Sequence, residues 1–291
     1  MIPAGFEYMR ATSVDDALAK LAGTNGRGKL IAGGHSLVPL MKLRLSQPQV
    51  LIDIARIPEL AGIRERDGRI EIGAGTVHRE VASSALLRKL CPLLSDAAAE
   101  IGDAQVRNRG TLGGSLAHAD PSADYPASML ALDAEIHLAG PKGPRVVHAS
   151  AFFRDLFTVD LAPDEIITGV GFTPAQASAY AKLHQRASHY AIVGVAATLD
   201  VGGGTIRAAR LGLTGACPCA IRLRTVEEAL AGTKASTAAI AAAVRHSAAD
   251  LKTVSADIHA SADYRRAMVP VFTRRALEAA LVRLKPDPTY G

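Results

Sequence analysis

The sequence predicts an α+β fold, and three observations predict it. The first 55 residues read strand, glycine turn, helix, strand. Residues 179–213 hold three strand-like runs separated by short turns, as in an antiparallel meander. The last 70 residues carry apolar positions at helical spacing. With 291 residues, 48% of them hydrophobic, the chain is long and apolar enough to bury a core without metal or disulfide staples. That composition excludes a disordered chain.

Thr12-Ser13-Val14-Asp15-Asp16 offers a serine N-cap with acids in the first turn, and apolar spacing continues the helix to Leu21. Gly26 to Gly28 break it. Lys29 to Ala32 is a short apolar strand ending at Gly33-Gly34-His35-Ser36. Leu37 to Leu45 reads as a helix with Pro39 tolerated in its first turn, and Val50 to Ile54 as a second strand. Arg69 to Thr76 alternates like a half-exposed strand. Helices are expected from Val77 to Leu90 and around Ser95 to Ile101. Residues 106–124 are glycine-rich and polar and read as loop. Helical character resumes from Ala127 to Leu132. A hairpin joins Ala134–Leu138 to Arg145–His148 around Gly140-Pro141-Lys142-Gly143-Pro144. Thr173-Pro174-Ala175-Gln176 marks a boundary. Strands at 179–186, 191–201 and 205–213 and helices at 222–231, 236–250 and 262–284 complete the chain.

Charge and composition exclude several functions. Lys+Arg 33 against Asp+Glu 28 leaves only +5, and no run of five basic residues exists to release counterions from a nucleic acid. Six Phe, six Tyr and no Trp are too few for a base-stacking platform. The mild positive balance suits an anionic ligand such as a nucleotide. Cys91, Cys217 and Cys219 cannot form a disulfide framework, and Cys217-Pro-Cys219 is too tight for C-x-x-C chemistry; all three read as small hydrophobes. The nine histidines show no zinc-ligand spacing. Met1 to Arg10 lacks an apolar signal core, and the longest apolar run, Tyr190 to Leu199, is about half a membrane span. A soluble, cytoplasmic chain without a membrane span is expected.

Chemistry concentrates in two glycine loops. Ala32-Gly33-Gly34-His35-Ser36 lies between strand and helix, where glycines permit close backbone approach and a helix start presents free N–H groups to a phosphate. It matches neither the Walker pattern nor G-x-G-x-x-G. Arg107-Asn108-Arg109-Gly110-Thr111-Leu112-Gly113-Gly114-Ser115 offers the same donors beside cations. Asp120 and Asp124 follow, either as helix caps or with one carboxylate on a ribose hydroxyl. Two phosphate-type loops in one chain suit a dinucleotide. No nucleophile elbow accompanies them.

At these loops the sequence resembles the FAD-binding medium subunits of the molybdenum hydroxylases, of the carbon monoxide dehydrogenase and xanthine dehydrogenase type. Ala32-Gly33-Gly34-His35-Ser36-Leu37-Val38-Pro39 matches the family's first FAD motif and Arg107 to Gly114 its second. The opening Phe6-Glu7-Tyr8 with Thr12-Ser13 and the tail Asp257-Ile258-His259-Ala260-Ser261-Ala262-Asp263-Tyr264-Arg265-Arg266 match its ends. The resemblance implies a PCMH-type FAD-binding fold over 1–175, with α/β subdomains at about 1–57 and 58–175. A C-terminal domain of small antiparallel sheet and helices would occupy 176–291. It implies that the backbone of Ala32, Gly33, Gly34, His35 and Ser36, and of Thr111, Leu112, Gly113, Gly114 and Ser115, holds the diphosphate, and that Leu37 also belongs to the cofactor-binding set. Ser115 replaces the family's frequent Asn. Asp124 would bind ribose, Ile101 and Ile167 would pack on the cofactor, and Lys182 would lie near the flavin ring. A Cβ at Gly33 or Gly114 is expected to intrude on the diphosphate path.

The resemblance further implies an electron-transfer subunit with no catalytic acid or base of its own. It would take electrons from [2Fe–2S] clusters of a small iron–sulfur subunit and pass them through FAD to an external acceptor. Substrate would be oxidised at the molybdopterin cofactor of a large subunit, in a dimer of heterotrimers. Without the cysteine-bearing insertion of the benzoyl-CoA reductase branch, no [4Fe–4S] cluster is expected here. The alternatives are a stand-alone FAD-dependent oxidoreductase of the same fold and a flavin-free nucleotide-binding module.

Overall fold

The structure, a computed structural model, describes residues 1–284; the end of the expected second domain, 285–291, lies outside the described residues. The chain opens with strand β1 (Glu7–Arg10), helix α1 (Val14–Gly23), strand β2 (Gly28–Ile31), helix α2 (Leu37–Lys42) and strand β3 (Val50–Asp53). Ser13 caps α1 as its side chain accepts from the Asp16 N–H at 3.0 Å. Both outer strands run parallel to β3, giving the order β1-β3-β2. Ala17, Leu21, Ile52, Ile57 and Leu60 form the small core beneath this sheet. The sequence reading missed β1, whose residues are mostly exposed and which is held through its backbone. It also overran α2, which stops at Lys42 and leaves Arg44 at positive φ.

Strands β4 (Ile63–Arg66) and β5 (Arg69–Gly73) begin the second unit. Helices α3 (His78–Ser83), α4 (Ala85–Leu90), α5 (Pro92–Ala99), α6 (Ala104–Arg107), α7 (Leu112–His118) and α8 (Asp124–Leu132) follow. The expected single helix from Val77 to Leu90 is broken at Ser84, which leaves helical backbone and caps α4 by accepting from the Leu87 N–H. The glycine-rich segment read as loop contains the end of α6 and all of α7. Strands β6 (Glu135–Gly140) and β7 (Gly143–His148) form the expected hairpin. After α9 (Ala149–Phe152), β8 (Phe153–Asp155) and β9 (Thr158–Val159) comes β10 (Ile166–Phe172), which sequence reading did not anticipate. It is the middle strand of the antiparallel sheet β4-β5-β10-β6-β7.

The third unit is the antiparallel meander of β11 (Ser178–His184), β12 (Ala191–Gly202), β13 (Thr205–Thr214) and β14 (Ile221–Arg222). Helices α10 (Arg224–Leu230), α11 (Thr237–Ala243) and α12 (Ala262–Val282) cover one face. From α12, Val269, Phe272, Ala276, Leu277 and Ala280 enter a core with Val193, Val195 and Leu211 of the sheet. Helix α8 lies against the other face, and all nine of its residues are buried. Only glycine fits at Gly212, because a Cβ there would overlap the Ala127 carbonyl of α8. Tyr180, Ala196 and Ala220 join the core of the second unit. The second and third units are thus packed through a helix rather than tethered.

Candidate functional site

A cleft of about 410 Å³ runs between the three units. Of the residues singled out in the sequence, Ala32, Gly33, Gly34, His35, Ser36, Leu37, Ile101, Thr111, Gly113, Gly114, Ser115, Asp124 and Ile167 line it. Leu112 and Lys182 do not: Leu112 is 0% exposed in the core, and Lys182 lies behind Asp124.

The two glycine loops are pressed together. A Cβ on Gly33 would overlap the Arg109 carbonyl and come within 2.8 Å of the Gly110 Cα. Gly110 in turn leaves room for the His78 ring, whose Nε2 would sit 2.5 Å from an added Cβ, and Gly113 for Ala74. The steric demand visible at Gly33 comes from the opposing loop. At Gly114 a Cβ would meet only the Thr111 hydroxyl, at 2.8 Å.

The loops differ in what they offer an anion. In the second, Leu112 N–H donates to the Thr76 carbonyl and Gly113 N–H to that of Ala74. The Gly114 N–H goes to the Thr111 hydroxyl, which caps α7, and the Ser115 N–H to the Thr111 carbonyl. In the first loop, among the described residues, no protein acceptor takes the N–H groups of Gly33, Gly34, His35 or Ser36. The Ser36 hydroxyl makes no cap bond either. Unpaired amides are the donors a diphosphate requires. With α2 only six residues long, individual N–H groups rather than a long helix dipole supply the attraction. His35 places Nδ1 3.0 Å from the Gly33 carbonyl, to which it donates.

Asp124, first residue of α8, is 4% exposed. Its carboxylate accepts from the Tyr180 hydroxyl at 2.5 Å and pairs with Lys182 Nζ at 2.8 Å. Lys182 also donates to the Glu100 carbonyl at 2.9 Å. Burial pushes the Asp124 carboxyl up despite the lysine beside it. This trio joins the second unit to β11. Asp120, also on the cleft, is raised by burial and accepts from the Ser122 N–H.

Several lining residues escaped sequence reasoning. His78 sits where the two loops meet; burial, then the nearby His35 and Arg107, push it down to about 4, and its Nδ1 has no partner among the described residues. Ser188, His189 and Tyr190 reach the cleft from the turn between β11 and β12. Burial raises the Tyr190 phenol to about 12. Their signal was position alone: a polar turn between two strands of a meander. Among the described residues no group of three or more His, Cys, Asp or Glu could hold a metal, and no helix is long and apolar enough to cross a membrane.

A cleft lined by unpaired glycine-loop amides and shared by three units suits a nucleotide cofactor. Comparison with known proteins gives that class its particulars. The family described as "FAD binding domain in molybdopterin dehydrogenase" matches residues 4–175, and "CO dehydrogenase flavoprotein C-terminal domain" matches 178–280. The chain is 41% identical over 286 residues to the carbon monoxide dehydrogenase medium chain of Hydrogenophaga pseudoflava, covering 97% of this chain and 99% of that one. It is 39% identical to the 6-hydroxypseudooxynicotine dehydrogenase complex subunit alpha of Paenarthrobacter nicotinovorans, with 98% of each covered. Among solved structures, carbon monoxide dehydrogenase from Hydrogenophaga pseudoflava superposes with a TM-score of 0.92 at 42% identity, covering 97% of this chain and 99% of that one. Quinoline 2-oxidoreductase from Pseudomonas putida 86 superposes at 0.90 and 31% identity, covering 98% and 100%. The chain belongs to the FAD-binding medium subunits of the molybdenum hydroxylases, which are oxidoreductases.

Proposed function

We propose that this chain is the electron-transfer subunit of a cytoplasmic molybdenum-dependent hydroxylase. It takes electrons from [2Fe–2S] clusters of a small partner and passes them to an external acceptor. A large molybdopterin-bearing partner oxidises the substrate, and the assembly is a dimer of heterotrimers. The observation that carries this reading is the cleft shared by three units and lined by the four amides from Gly33 to Ser36, which have no acceptor among the described residues. FAD, when bound there, supplies the redox chemistry.

The chain's own residues bind, orient and exclude water. The Gly33–Ser36 amides hold the diphosphate, and the second loop backs them, with Thr111 and Gly113 fixing its shape. Ser115 adds a hydroxyl and Ile101 and Ile167 the apolar walls. The part of the Asp124 carboxylate not taken by Tyr180 and Lys182 receives a ribose hydroxyl, and Lys182 acts through Asp124. No side chain here is assigned a proton transfer with the organic substrate. The domain division at 175/176 suits the matched families, whose limits fall at 175 and 178.

The test is a visible spectrum of the purified chain followed by capture of its native partners. Expected are flavin absorbance at about 450 nm and recovery of a small cysteine-rich and a large molybdopterin-binding protein. A yellow chain with no such partners, oxidising a small molecule directly, would overturn the subunit reading; a colourless chain unable to take FAD would overturn the whole.

A further inference from the structure

The tail motif Asp257 to Arg266 lines none of the cleft, yet it holds a buried guanidinium, that of Arg265. The Asp257 carboxylate turns the chain by accepting from the His259 and Ala260 N–H groups. Ser261 then caps α12 by accepting from the Tyr264 N–H. These two bends deliver Arg265, 2% exposed, into the interior. Its Nη1 donates to the Ile192 carbonyl at 2.8 Å and the Gly215 carbonyl at 2.6 Å, and its Nη2 pairs with Asp257 at 2.5 Å. A charge so buried persists only where carbonyls and a carboxylate surround it.

The two carbonyls belong to the start of β12 and to the residue that follows β13, beside the Ser188–Tyr190 segment that lines the cleft. One residue before Ile192, the Ala191 N–H donates to the Ser122 carbonyl, and the Gly215 N–H donates to that of Pro121. The Thr214 hydroxyl lies 2.8 Å from both the Pro121 and the Ala123 carbonyl, and its one proton can be donated to either. Gly215, at φ +83, admits no side chain: a Cβ would lie 2.6 Å from the Ala191 carbonyl. Ser188–Tyr190, just before this junction, and Asp120, Ala123 and Asp124, at and around its other side, line the cleft.

We propose that Arg265 is a positioning residue for the cofactor. By gripping Ile192 and Gly215 it fixes the Ser188–Tyr190 wall against the Asp120–Asp124 wall, so flavin affinity depends on a guanidinium that never touches the flavin. The proposal rests on FAD occupying this cleft. A lysine at 265 keeps the charge but lacks the planar fork that spans two carbonyls and a carboxylate.

The test uses the full chain with FAD as the probe, following flavin fluorescence well below the melting temperature. Arg265→Lys is expected to weaken FAD binding about tenfold or more. Asp257→Asn, which keeps its backbone acceptor, is expected to weaken it less, in the same direction. Leu277→Ala, in the core at the far half of α12, is expected to lower Tm at least as much while leaving affinity within about twofold. Unchanged affinity in the Arg265 and Asp257 variants overturns the proposal. So does a loss that follows Tm equally across all three. Should Arg265→Lys fail to fold, Asp257→Asn decides alone. Wild-type chain that takes up no FAD overturns the cofactor reading and this proposal with it.

Discussion

His78 is neutral because its ring is buried under the junction of two glycine loops, with His35 and Arg107 near enough to add repulsion. Its ordinary value of 6.5 falls to about 4 in the fold. Between those values the unfolded chain binds the proton and the folded chain does not, so stability rises with pH across that window. It is complete above 6.5 and is lost as pH falls toward 4, by about 3 kcal/mol in all. Replacing His78 by Gln should flatten this acid limb, and urea unfolding at pH 7 and pH 4.5 measures it. An unchanged slope in the variant would assign the limb to another group. The identity of the first-loop residues was legible because glycines between strand and helix form a local pattern. His78 was not, because nothing local distinguishes a histidine under a cleft from one in a helix.

Helix α7 forms against local propensity, since Leu112-Gly113-Gly114 places two glycines in its first turn. Packing explains both the helix and its concealment from sequence reasoning: Gly113 is required by the approach of Ala74, and Thr111 supplies the cap. Replacing Thr111 by Ala removes that cap and should cost about 1 kcal/mol, read from the urea midpoint, with Thr111→Ser restoring most of it. No loss in the alanine variant would show that the cap bond is not what holds the turn. Hairpins and capped helices, such as the β6–β7 pair and α1, were legible because their turns and caps are written within a few residues. Strand β10 was not anticipated although Ile166-Ile167-Thr168-Gly169-Val170-Gly171-Phe172 is rich in strand-forming residues. Its glycines are where β5 and His137 come close.

Across the whole molecule the second and third units share α8, and Gly212 sets how closely β13 approaches it. Gly212→Ala should force the two apart and lower stability by about 1–3 kcal/mol or more. Thermal unfolding should then show a lower Tm and a broader transition; a wild-type melting curve would contradict the shared core. The outline of these units was visible in the sequence as a change from glycine-turn units to meander. The cleft itself was visible only in part, because Ser188–Tyr190 and Gly33 come to line one cleft through long-range packing that no window of sequence contains.

The trio of Asp124, Tyr180 and Lys182 has a consequence for the order in which the chain is made. Asp124 is synthesised more than fifty residues before the hydroxyl and the ammonium that compensate it. A nascent first half that collapsed fully would enclose an uncompensated carboxylate. The favoured course is therefore one in which the start of α8 stays hydrated until β11 has left the ribosome, so that this helix end is sealed late in biosynthesis.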